Sequence, residues 1–400
     1  MATEKNIIVS EDGKTVLCCN ENFKGDLVIP EGVTGIEYRA FSDCKSVTSV
    51  VIPSTIKEIG EAAFWECTGL TSVVIPNSVA KIGKAAFLDC ARLSSIKIPD
   101  NATEIGEHAF QNCTSLASAE ISSSVKEIRN YAFYGCTSLT SVVIPNNVIE
   151  IGELAFYGCT SLTSAEISSS VKEIGKGTFA NCSGLTSVKI SDKVSEIGEA
   201  AFYGCTSLTS VVIPNNAAKI GKGTFAHCFY LTSVELPDCL TEIGEFAFEK
   251  CTSLTSVVIP NNVAKIGNAA FANCSSLVSV VIPGSVKVIQ AGIFFRCTSL
   301  ISVEVLEGVT KIGKDTFRSC ERLKSIVIPS TVTRIDTTAF ELCSSLEEIH
   351  LHHQHPKGFV KAFTNDAIDV STITLYVPIG SEDEYRKHPF YKRFGKIVGE

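Results

Sequence analysis

The sequence predicts an α/β repeat solenoid: a right-handed coil of 23-residue repeats, with a parallel sheet on the concave face and short helical or 3₁₀ turns on the other side. Three observations predict it. Phenylalanine recurs every 23 residues, from Phe41, Phe64 and Phe87 to Phe340 and Phe363. A cysteine follows three residues after each of the first fourteen, from Cys44 to Cys343, and an isoleucine precedes each by five, from Ile36 to Ile335. Self-similarity at a fixed period of this size marks stacked supersecondary units, each packing on its neighbours.

Three regions follow from where the register holds. Residues 1–25 break it and read as an N-terminal cap, because Ile7-Ile8-Val9 and Thr15-Val16-Leu17 flank the turn dipeptide Asp12-Gly13, a hairpin signal. Residues 26–352 carry about fourteen repeats. Residues 353–400 form an irregular last repeat and C-terminal cap: the cysteine and proline positions disappear after Phe363, and the strand-like Ile373-Thr374-Leu375-Tyr376-Val377 arrives three residues late. Caps of this kind protect the terminal strand edges.

Within one coil, Val142 and Ile144 alternate with Ser141 and Val143, the period-two pattern of a short strand. Pro145 lacks an amide donor and ends the ladder; Asn146-Asn147 supply turn chemistry. Ile151-Gly152 leads into Glu153-Leu154-Ala155-Phe156, about one helical or 3₁₀ turn. About five large apolar side chains, at about 1.5–3 kcal/mol each, do not offset the backbone entropy of a coil, so stacking has to supply the difference. The strings Cys136–Asn147, Cys205–Asn216 and Cys251–Asn262 are identical, which points to tandem duplication.

Composition excludes several functional classes. The chain is 45% hydrophobic with a formal net charge of −8 and pI near 5.5, which argues against nucleic acid as a partner. No apolar run approaches a membrane span. Fourteen of the 17 cysteines hold one repeat position, and only Cys18, Cys19 and Cys239 fall outside it. Coils spaced about 4.8 Å apart permit disulfides by distance, but in-register side chains point the same way, so a buried ladder of thiols is expected.

The string Leu139-Thr140-Ser141-Val142-Val143-Ile144-Pro145-Asn146-Asn147-Val148, continued by Ile151-Gly152, Ala155-Phe156 and Cys159, resembles the BspA-like leucine-rich repeats. Thr374-Leu375-Tyr376-Val377-Pro378 with Gly380, Tyr385 and Phe394 is similar to the ending of many bacterial members, and Glu348-Ile349-His350 resembles their last repeat. The resemblance spans residues 7–400. It implies a leucine-rich-repeat fold, a cell-surface or secreted location, and adhesion to a host, matrix or other cell-surface protein. It supplies no catalytic residue. The opening Met1-Ala2-Thr3-Glu4-Lys5-Asn6 lacks the apolar stretch of a secretory signal, which leaves a cytoplasmic location, or processing before Met1, as the alternatives.

Candidate partner-binding residues form one variable column on the exposed strand face: Val51, Val74, Lys97, Glu120, Val143, Glu166, Lys189, Val212, Glu235, Val258, Val281, Glu304 and Val327. Beside it, serine fills a column from Ser49 and Ser72 to Ser325. Solvent-facing valines with charges between them suit protein contact; the bland alternative is that valine merely favours strands. A second stripe, Trp65, Tyr134, Tyr157, Tyr203 and Phe295, follows the phenylalanines by one residue and reads either as interface anchors or as half-buried packing. His350, His352, His353 and His355 crowd one segment, but without a nearby set of carboxylate or cysteine ligands, so no metal and no cofactor is expected. Isolated histidines and dispersed hydroxyls do not converge into a nucleophile, base and orienter, so no enzyme activity is expected. Acceptor-like Asn101-Ala102-Thr103, Asn112-Cys113-Thr114, Asn181-Cys182-Ser183 and Asn273-Cys274-Ser275 largely fall out of the repeat register. The expected function is a non-enzymatic, monomeric, protein-binding solenoid, with an intracellular scaffold as the alternative.

Overall fold

The 23-residue coil expected from the phenylalanine register is the building block of the structure, a computed structural model that describes residues 7–20, 22–363 and 368–400. Met1–Asn6, where the secretory-signal question falls, lie outside the described residues. The chain forms two compact units, Met1–Val194 with Ala201–Leu208, and Ser195–Ala200 with Thr209–Glu400. Each is a parallel-strand β-solenoid with a spacing of ~23 residues per turn.

In the first unit, the hairpin expected at Asp12-Gly13 is present. Ile7–Val9 pairs antiparallel with Thr15–Cys19, and Gly13 takes φ +71°, a left-handed conformation open to glycine. The coils behind it stack in register: Ser49 on Ser72, Ser95 on Ser118, Ser141 on Ser164 on Ser187. The second unit repeats the arrangement and ends in a sheet that runs from Ser279–Ile282 through Glu348–Leu351 and Thr374–Val377 to Lys396–Gly399. The tail that reads as polar and aromatic folds into the helix Glu382–Lys387 and the 3₁₀ turn Tyr391–Arg393, and buries Tyr385, Tyr391 and Phe394.

Two features of the coil go beyond its sequence pattern. The first is a second parallel ladder of two-residue strands, Lys81–Ile82, Glu104–Ile105 and Glu127–Ile128 among them, made by the isoleucine five residues before each phenylalanine. The glycine that follows this isoleucine lets coils approach closely: an added Cβ at Gly244 would stand 2.6 Å from the Gly221 carbonyl carbon. The second concerns the expected helical turn. Among the described residues of the coils this segment forms no helix. Its amides alternate instead: Ala62, Phe64 and Glu66 donate to the next coil at 2.8 Å, while Ala63, Trp65 and Cys67 donate three residues back. Alternation requires left-handed residues on both flanks of the phenylalanine, as at Ala62 and Glu66 (φ +54° and +55°). Asn, Asp and Gly are frequent at the second of these positions because they tolerate that region best.

In each unit the phenylalanines form a buried stack, with ring centroids 4.9 Å apart at Phe41–Phe64 and 5.4 Å apart at Phe225–Phe248. The thiol ladder is equally regular. Within each unit the sulfurs behind the first coil donate to the phenylalanine carbonyl of the preceding coil, among them Cys67 to Phe41 at 3.0 Å, Cys159 to Phe133 at 3.3 Å and Cys343 to Phe317 at 3.1 Å. That carbonyl already accepts the amide of its own coil's cysteine, as Phe64 does from Cys67. The thiol therefore fills the second lone pair of a buried acceptor. Burial pushes the Cys274 and Cys343 thiols up to about 12.

Candidate protein-interaction face

The residue two positions after each column serine is held outward by strand alternation, because the residues on either side of it point into the core. Val142 and Ile144 are buried while Val143 is exposed. The in-register ladders then set successive coils' residues side by side. Val51 pairs with Val74, Lys97 with Glu120, and Val143 with Glu166 and then Lys189 in the first unit. In the second, Val212 pairs with Glu235, and Val281 with Glu304 and then Val327. Every residue of the expected column is exposed except Val327, which is half-buried.

Its charges are largely cancelled internally. Lys97 reaches Glu120 at 3.2 Å and Lys189 reaches Glu166 at 2.6 Å. Neutralised pairs between exposed valines leave a face that is apolar in its long-range character. The serine column contributes hydroxyls alongside, and Ser49 donates to Asp26 at 2.6 Å.

The face extends further than the thirteen residues read from the sequence. Val28 pairs with Val51 at one end; His350, Tyr376 and Val398 continue from Val327 at the other. Val28 and His350 keep the 23-residue spacing and were legible by extending the count. Tyr376 and Val398 fall outside it, so only the pairing finds them. The ladder is also interrupted. Among the described residues Ser256 makes only an isolated bridge to Ser279, and Val258 stands outside any strand. There the face opens into a groove of about 440 Å³ lined by Val258, Ile259, Val280 and Val281, with Val258 83% exposed.

The aromatic stripe resolves in favour of packing. Trp65, Tyr134, Tyr157, Tyr203 and Phe295 are all half-buried. Tyr134 stacks on Tyr157 at 4.7 Å, the Tyr157 hydroxyl accepts from Asn181 at 2.7 Å, and the Arg39 guanidinium lies 4.0 Å over the Trp65 ring.

Carboxylates far along the chain meet the histidines, and His350 and His352 both approach Glu400, at 2.9 and 3.9 Å. His350 Nδ1 hydrogen-bonds Glu400 at 2.9 Å and its ring stacks on Tyr376; His355 meets Glu384 at 2.8 Å. His353 is buried, donates from Nε2 to the Val332 carbonyl at 2.7 Å, and is held below the usual imidazole range mainly by burial. Among the described residues no group of three or more His, Cys, Asp or Glu is placed to hold a metal ion. No helix among them is long and apolar enough to cross a membrane.

The family model of the BspA type leucine rich repeat region matches in six copies over residues 17–139, 126–251 and 218–347. The chain belongs to the BspA-type leucine-rich-repeat family. Among solved structures, a leucine-rich repeat protein from Bacteroides ovatus is 28% identical with a TM-score of 0.71, covering 99% of this chain and 98% of its own. A leucine rich cell surface protein from Faecalibacterium prausnitzii is also 28% identical, with a TM-score of 0.43 over 86% of this chain and 92% of its own. No curated protein sequence matches significantly. Membership of the BspA type accounts for the repeat.

Proposed function

We propose that this BspA-type chain is a non-enzymatic protein-binding module, adhesin-like in use, that engages a host, matrix or other cell-surface protein through the column from Val51 to Val327. One observation carries the reading: beside a column held as serine from Ser49 to Ser325, the outward-facing column changes between valine, lysine and glutamate, and Lys97–Glu120 and Lys189–Glu166 neutralise one another so that valines dominate the contact. A surface location is what the BspA-type repeat leads one to expect. The Val258 groove is the natural anchor point, because an apolar partner side chain seated there is desolvated on several sides.

The test is saturation binding of the full chain to an immobilised array of extracellular-matrix and cell-surface proteins, repeated with the Val143→Glu, Val212→Glu, Val258→Glu triple variant. Saturable binding that the triple variant loses supports the reading. Binding that survives in a folded triple variant removes the column from it, and a silent array removes the adhesin-like use. The second reading, an intracellular scaffold, takes its support from the thiol ladder, whose S–H donors fit a reducing compartment.

A further inference from the structure

Each unit carries a groove along its second ladder, and the two grooves differ in how their charges are paired. The residues on either side of an isoleucine-glycine pair line both: Lys81 and Lys84 in the first unit, Lys219 and Lys222 in the second. In the first unit the charges are satisfied internally. Lys84 reaches Glu107 at 3.0 Å and Lys81 reaches Glu58 at 3.8 Å. Arg129 stands where the other coils have glycine, and its guanidinium meets Glu104 at 3.3 Å and Glu150 at 4.0 Å.

In the second unit the groove encloses about 470 Å³. Its carboxylates are engaged by the coil that follows them: Glu242 pairs with Lys265 at 2.6 Å, and Glu245 accepts from Asn268 at 3.1 Å. Lys219 and Lys222 are exposed, and among the described residues neither makes an ion pair. A main-chain donor lies beside them. Where asparagine occupies the position of Lys222 in its coil, its side-chain oxygen accepts the amide at the same position of the next coil. Glu153 donates to Asn130 in this way at 2.8 Å, and Ala291 to Asn268 at 3.2 Å. The equivalent amide after Lys222 is that of Glu245, and no acceptor meets it among the described residues. Lysine has donors only and cannot serve as asparagine does. Gly244 leaves the space open, since an added Cβ there would stand 2.7 Å from the Lys222 nitrogen.

We propose that the groove of the second unit binds a carboxylate, free or on an acidic side chain of a polypeptide. One carboxylate oxygen takes the place of the asparagine oxygen on the Glu245 amide. The Lys219 and Lys222 ammoniums supply charge-assisted hydrogen bonds. Glu196, Glu242 and Glu245 balance Lys219, Lys222 and Lys265 around the groove, so a monoanion is accommodated better than a doubly charged phosphate. The site lies on the second ladder and does not rest on what the valine column binds.

The experiment titrates the isotope-labelled full chain at constant ionic strength and follows its amide resonances by NMR. The probes are sodium acetate, a tetra-aspartate peptide blocked at both ends, and inorganic phosphate. The Glu245 amide should shift saturably with acetate and with the peptide. Lys222→Asn puts a competing oxygen on that amide and should weaken both at least about tenfold, with Lys219→Gln close behind. Lys84→Asn, in the paired groove of the first unit, should change neither. All three replace exposed side chains, and asparagine already stands at this position in the coils of Asn130 and Asn268, so folding is not at stake. Both probes saturating supports the proposal: a peptide at least about tenfold tighter than acetate assigns the carboxylate to a polypeptide, and equal affinities assign it to a free ligand. A Glu245 amide that does not move, phosphate saturating before acetate, or the same loss from Lys84→Asn as from Lys222→Asn overturns it.

Discussion

Two kinds of column run along the coils of each unit, one residue per turn, and they behave in opposite ways. The phenylalanine and cysteine columns are nearly invariant, buried, and satisfied within the stack: ring on ring, thiol on carbonyl. The column from Val51 to Val327 shares their period but changes identity between valine, lysine and glutamate, and it faces outward. The difference teaches that repetition marks what stacking requires. Where the repeat is free to vary, recognition has room to act.

Breaking the buried column should give the largest effect. Phe156→Ala removes a ring stacked on both Phe133 and Phe179 and should cost about 3–5 kcal/mol by chemical denaturation. A cost below about 1 kcal/mol would mean the stack is not what joins coils. The Val143, Val212 and Val258 glutamate triple should do the reverse. Stability should stay within a few tenths of a kcal/mol per site, as for exposed positions, while partner affinity should fall by about 2 kcal/mol or more. A triple variant that unfolds would erase the distinction between the columns.

A finer cut separates thiol from ring. Cys159→Ala leaves the Phe133 carbonyl with only the Cys136 amide and should cost about 0.5–1.5 kcal/mol for the lost hydrogen bond. Cys159→Ser should recover part of it, since the hydroxyl still donates. Equal losses for the two variants would assign the thiol's role to volume alone.

At the C-terminal end, His353 supplies a pH dependence. Its folded pKa lies below the unfolded value because burial disfavours the imidazolium; Lys357 and His352 act in the same direction, and the hydrogen bond to the Val332 carbonyl and then Glu307 oppose them. The unfolded chain therefore binds more protons in the window between the two values. The contribution is present above about pH 6.5 and is lost as pH falls through the folded pKa. The protection factors of Thr374–Val377, corrected for the intrinsic pH dependence of exchange, should fall from pH 7 to pH 5, and His353→Phe should flatten that change. The smallest effect belongs to the surface pair. Lys189→Ala should alter stability by only about 0.2–1 kcal/mol while leaving Glu166 uncompensated, and should raise the salt sensitivity of partner binding.

Much of this architecture was legible before the structure, because a coil that cannot fold alone writes its stacking requirements into every repeat. The hairpin at Asp12-Gly13, the inward isoleucines and valines, the buried thiols and the outward column all follow from period and alternation. The second two-residue ladder was not legible: Glu104-Ile105 is too short to display a strand pattern, and its partners are supplied only by neighbouring coils. The same holds for the left-handed pair flanking each phenylalanine, where Ala62 and Glu66 carry no signal of that conformation. The carboxylates that meet the histidines lie far along the chain, so proximity in sequence could not reveal them.

The three identical strings give the sharpest division between the two kinds of information. Cys136–Asn147, Cys205–Asn216 and Cys251–Asn262 have one sequence, and in all three the column valine is exposed: Val143, Val212 and Val258. Sequence alone determined that, because alternation within a strand-like segment needs no partner to choose its faces. Yet Ser141–Val143 and Ser210–Val212 are strands, paired with the coils that follow them, while Ser256 forms only a bridge. A ladder hydrogen bond needs a donor and an acceptor on two chains at once. Whether a strand forms, and whether a groove opens beside Val258, was therefore decided by the neighbouring coil and not by the string itself.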